Sequence, residues 1–105
     1  MQLTSFLENG QLTIALTGEI DHHKAKKYIS CIASKIEIYS PNTCVLDFRD
    51  VTFMDSSGIA VVINALREMA GIEGELILSG LADQPMKVFR TSGIDKLVKN
   101  KEGVK

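Results

Sequence analysis

The segment Met54-Asp55-Ser56-Ser57-Gly58 sets two hydroxyls between an apolar run and the periodic residues of a helix. Unpaired N–H groups and the positive end of the helix dipole meet at such a start, which favours a bound or covalently attached phosphate. A phosphoryl group would be tolerated there. The same residues also suit a plainer task, because Asp55, Ser56 or Ser57 can simply cap the helix by accepting from a first-turn N–H. A second cluster, Asp21-His22-His23, follows another apolar alternation. In a parallel sheet it falls at the same strand ends as Ser56. Adjacent histidines on a helix point about 100° apart, and no Cys or third His is spaced to complete a metal shell. Asp21 therefore reads as a cap with both rings in solvent, or the cluster as a patch that touches a partner.

Other chemistries find less support. There is no GxSxG elbow, and nothing marks a base held against a serine, so triad hydrolysis is not expected. Glu19, Asp21, Asp50 and Asp55 admit an alternative, an aspartyl-phosphate receiver with bound magnesium. A receiver's acidic pair, however, follows the first strand of a parallel array, and this chain opens with a hairpin. Gly-rich phosphate loops of the GxxxxGK[ST] and GxGxxG types are absent. Cys31 and Cys44 lie thirteen apart and form no CxxC pattern, so they read as free buried thiols in a reducing compartment.

The elements that must position these residues are legible from periodicity. Leu3-Thr4-Ser5-Phe6-Leu7 and Leu12-Thr13-Ile14-Ala15-Leu16 alternate as strands, and Glu8-Asn9-Gly10 between them has the composition of a hairpin turn. Ala25, Tyr28, Ile29, Ile32, Ala33 and Ile36 recur every three or four residues, which predicts an amphipathic helix with Asp21 at its cap. The nearly continuous apolar run Cys44-Val45-Leu46 with Phe48 predicts a central strand buried on both faces. Residues 50–58 read as the connection to a second helix, with Ile59, Val62, Ile63, Leu66 and Met69 as its stripe and Gly71 as its stop. Glu75-Leu76-Ile77-Leu78-Ser79 is a further strand. Asp83, as cap ahead of Pro85, introduces a short helix carrying Met86, Val88 and Phe89 and ended by Ser92-Gly93. Residues 94–98 add a turn, and the polar tail 99–105 is expected to fray. The pattern predicts an α/β layer with a mixed sheet of four to five strands.

The chain has 105 residues, 45% hydrophobic and 24% charged, which fits one globular domain over residues 1–105. Twelve Lys and Arg against thirteen Asp and Glu give a formal charge of −1, with no basic stripe to track phosphates, so nucleic acid is not an expected partner. The longest apolar stretch, residues 59–66, is far short of the roughly twenty needed to span a bilayer. Met1-Gln2-Leu3-Thr4-Ser5-Phe6 has neither the basic nor the apolar region of a signal peptide, so export is not expected. The expectation is a cytoplasmic protein without a membrane partner, and a monomer.

Taken in order, Thr17-Gly18-Glu19-Ile20-Asp21-His22-His23, Val45-Leu46-Asp47-Phe48, Phe53-Met54-Asp55-Ser56-Ser57-Gly58 and Thr91-Ser92-Gly93-Ile94 resemble the STAS-domain anti-sigma-factor antagonists of spore-forming bacteria, of the SpoIIAA type. The resemblance implies the STAS fold, with helices mainly on one sheet face, and a regulator with no catalytic activity and no cofactor. It implies an unphosphorylated form that binds an anti-sigma factor, itself a serine kinase, and so releases a sporulation sigma factor. Phosphorylation on Ser56 would end that binding, and a PP2C-type phosphatase would restore it. The resemblance also places Asp21, His22, His23, Asp55, Ser57 and Gly58 at the partner surface, with Gly58 leaving the approach to Ser56 open. The chain departs from the family pattern at Ala60 and at Asn64-Ala65, where Gly and a Gly-Arg pair are common. A STAS scaffold serving a different partner is the other family-level alternative.

Overall fold

Asn9 and Gly10 both take positive φ, 52° and 79°, the pairing a type I′ turn requires. They fold β1 (Leu3–Glu8) onto β2 (Gln11–Ile20) as the expected antiparallel hairpin. The computed structural model describes residues 3–100 of the chain. β2 pairs in parallel with β3 (Thr43–Met54), β3 with β4 (Glu75–Ser79), and β4 with β5 (Lys99–Asn100). The five-stranded sheet runs β1-β2-β3-β4-β5. Helices α1 (His22–Tyr39), α2 (Ser57–Gly71) and α3 (Asp83–Ser92) make the parallel crossovers. Sequential order with an antiparallel first pair is not the 2-1-3-4-5 doubly wound order of a receiver, so the receiver alternative lacks its scaffold.

One core explains why the helices gather on one face. The register sets Leu12, Cys44 and Leu76 in one row and Ile14, Leu46 and Leu78 in the next. These pack with Tyr28, Ile32 and Ile36 of α1, Val61, Val62, Ala65 and Met69 of α2, and Phe89 of α3. Phe48 and Phe89 meet edge to face, their centroids 5.6 Å apart. Val45 alternates to the opposite face. It is buried there, but outside this helix-side core, so the apolar run of β3 is covered by helices on one side only. Both cysteines are free; burial pushes the Cys44 thiol up to about 12, whereas Cys31 is only half-buried, contrary to expectation.

The sequence reading differs at several points, β2 among them, which runs on past Leu16 to Ile20. β3 continues to Met54 instead of stopping near Phe48. Two register shifts each give it one residue more than β2, as Ala15 and Thr17 pair with Asp47 and Asp50, and Gly18 and Glu19 with Val51 and Phe53. Such bulges break strict alternation, and the buried residues beyond Phe48 are Val51 and Met54, three apart. In α2 the buried residues are Gly58, Val61, Val62, Ala65 and Met69, while Ile59, Ile63 and Leu66 are only partly buried. The stripe is rotated from the one predicted because α1 and the sheet flank this helix together. α3 is capped by Ala82, without a side-chain bond, and Asp83 is its first residue. Lys99 and Asn100, expected to fray, pair with Ile77 and Leu78 as β5; residues 101–105 lie outside the described residues.

Candidate functional site

β2 and β3 run side by side and end together, Ile20 opposite Met54. The two loops that follow are tied by the Asp55 N–H, which donates to the Ile20 carbonyl at 3.2 Å. The Asp21 cluster and the Asp55-Ser56 turn thus share one edge of the molecule, as the parallel arrangement predicted.

Within the turn the capping question has a definite answer. Asp55 Oδ1 accepts from the Ser57 N–H at 2.8 Å, and the Asp55 carbonyl from the Gly58 N–H at 3.0 Å. Asp55 therefore serves the orphan donors of α2. Ser56 is exposed, already in helical conformation (φ −65°, ψ −14°), and its side chain makes no capping bond. Its hydroxyl is left facing solvent above the positive end of a fifteen-residue helix. Ser57 is half-buried and points its backbone N–H at Asp55.

Gly58 departs from the expectation that it keeps the approach to Ser56 open. It is buried, and a Cβ built on it collides with Met54 Sδ and Cγ. Since Met54 is itself fully buried, the absence of a side chain lets the first turn of α2 sit against the end of β3. Gly58 contributes packing and no surface.

Asp21 caps α1, accepting from the Lys24 N–H at 2.9 Å. That bond, with the nearby charges of His23 and Lys24, lowers its carboxyl below the ordinary carboxylate value. His22 and His23 are exposed, their rings edge to face at 6.1 Å. Among the described residues no group of three or more His, Cys, Asp or Glu could hold a metal ion, and no helix is long and apolar enough to cross a membrane.

Sequence reasoning missed Gln84. β4 accompanies β3 only as far as Asp47, which leaves the end of β3 without a strand neighbour on that side. Gln84 takes that place with its amide: the Met54 N–H donates to Oε1 at 2.9 Å, and Nε2 donates to the Met54 carbonyl at 2.8 Å. α3 is thereby pinned beside the turn, and a groove of about 350 Å³ opens between α2 and α3, lined by Ser56, Ile59, Lys87, Val88 and Thr91 among others. A Gln just inside a helix start carries no sequence signal for this contact. On α2, Ala60 is exposed, Asn64 donates back to the Ala60 carbonyl at 2.8 Å, and Ala65 is buried in the core.

The STAS domain family matches residues 7–105. An anti-sigma F factor antagonist of Lysinibacillus sphaericus is 32% identical over 83 residues, covering 79% of this chain and 71% of that protein. An anti-sigma-B factor antagonist of Listeria monocytogenes is 29% identical over 101 residues, covering 91% and 85%. The structure of the anti-sigma factor antagonist SpoIIAA in its unphosphorylated form superposes with a TM-score of 0.81 at 28% identity, covering 94% of this chain and 87% of that one. Its phosphorylated form gives 0.72, covering 94% and 90%.

Proposed function

The chain belongs to the STAS-domain family, and from that premise we propose that it is an anti-sigma factor antagonist switched by phosphorylation of Ser56. In this reading the unphosphorylated chain binds an anti-sigma factor that is also a serine kinase, and a sporulation sigma factor is set free in the cytoplasm. The kinase then modifies its captor: Ser56 Oγ bonds to the γ-phosphorus of ATP, the bond to the bridging oxygen breaks, ADP leaves, and the hydroxyl proton passes to the kinase or solvent. A PP2C-type phosphatase hydrolyses the ester. The chain itself is a regulator, not an enzyme.

The observation that carries the proposal is the Ser56 hydroxyl, exposed at a helix start whose capping is done by Asp55. A phosphoserine adds about −1.5 to −2 charges, and the helix end can accept them without unfolding the domain. Asp21 and Asp55 add negative charge at the same edge, which supports repulsion from an acidic or nucleotide-bearing partner surface as the means of release. Relatives named for both sigma F and sigma B are similar to this chain; the Asp21-His22-His23 motif favours the sporulation assignment. Mass spectrometry after incubation with the cognate anti-sigma kinase and ATP tests the proposal. One phosphate on Ser56, absent from Ser56→Ala, is the expected result; modification elsewhere or none contradicts it.

A further inference from the structure

We infer that Lys87 is the receiving cation for a phosphoryl group on Ser56, so that the modified chain closes the groove between α2 and α3 on itself. The inference rests on the reading of Ser56 as the modified residue. Ser56 stands at the start of α2, and Lys87, Val88 and Thr91 line the facing flank of α3 in the same groove. Gln84, Lys87 and Thr91 recur three and four residues apart, so they form one stripe along that helix. The stripe cannot swing away from Ser56, because both amide bonds of Gln84 end on Met54, two residues before it.

Lys87 is the charged residue among those lining the groove. It is exposed, and among the described residues it forms no ion pair. A dianion on Ser56 would be the first acid within its groove. Asp55 turns its carboxylate to the Ser57 N–H, while Asp21, His22 and His23 at the start of α1 and Asp83 at the start of α3 lie outside the lining. Ile59 and Val88 make the floor apolar, which suits the lysine stem while its ammonium reaches the phosphate. Phosphorylation thus does two things at once: it adds charge at the rim and lays the Lys87 side chain over the apolar floor.

The test uses the full chain with phosphoserine installed at position 56 during translation, so that no kinase is needed, and follows the second phosphate ionisation by phosphorus NMR. In Lys87→Met that ionisation is expected about half a pH unit higher than in the otherwise unsubstituted chain. Lys87→Arg restores the lower value, and about 1 M salt erases the difference. Arg90→Met, exposed on the same helix but outside the groove, leaves the ionisation where it was. Equal ionisation with and without Lys87, or an equal response to Arg90→Met, overturns the inference. Failure of the underlying reading registers separately, as absence of phosphate on Ser56 after treatment with kinase and ATP while this titration remains measurable.

Discussion

Two adjacent serines with the same side chain hold different positions because Asp55 reaches the N–H of Ser57 and leaves the hydroxyl of Ser56 alone. Sequence reading could name the trio but could not divide the capping among them, since Asp, Ser and Asn types cap about equally well. Gly58 illustrates the converse: its smallness was visible, its reason was not, because Met54 touches it only once β3 runs on to that residue. Gly58→Ala is expected to cost about 1–3 kcal/mol of stability by overpacking, measured by urea unfolding; a loss below about 0.5 kcal/mol would contradict the close approach of α2 to Met54. Asp21 supplies a pH test. Its carboxyl is lowered in the folded chain, so its contribution is complete above the unfolded value of about 3.9 and fades as pH falls through the folded one. Paired melts should find Asp21→Ala less stable than the parent at neutral pH, with the gap closing as pH falls below the ordinary carboxylate value. A gap that persists undiminished into acid would show that the cap bond is not its source.

At the scale of elements, the hairpin, α1 and β4 were legible because each follows a single period and ends in residues with one conformational reading, such as Asn9-Gly10. The end of β3 was not. Two bulges turn its alternation into burial at Phe48, Val51 and Met54, a spacing that imitates a loop or a helical turn. The site depends on that hidden stretch, since Met54 carries the backbone groups that Gln84 engages. Gln84→Leu removes both bonds and leaves an N–H and a C=O unpaired beside a buried residue, a loss expected to cost about 1–3 kcal/mol. Amide exchange at Met54 should accelerate in the same variant. Unchanged stability and unchanged exchange would mean that α3 is held by Phe89 packing alone.

For the whole molecule, a phosphorylation switch requires a fold that survives its own modification. The core lies on the helix face of the sheet, and Ser56 sits outside it at the strand ends. Phosphorylation should accordingly move amide resonances in residues 55–60 and along the groove flank of α3 while leaving Ile14, Leu46 and Leu78 in place. Displacement spread through β2, β3 and β4 would instead indicate a switch that works by refolding. Whether the switch works at all is decided by affinity. Calorimetric titration of the cognate anti-sigma factor with the parent chain, Ser56→Ala and Ser56→Asp is the direct measurement. Parent and Ser56→Ala should bind alike, and Ser56→Asp about tenfold or more weakly, roughly 1.4 kcal/mol; equal affinity for all three would contradict a switch at Ser56.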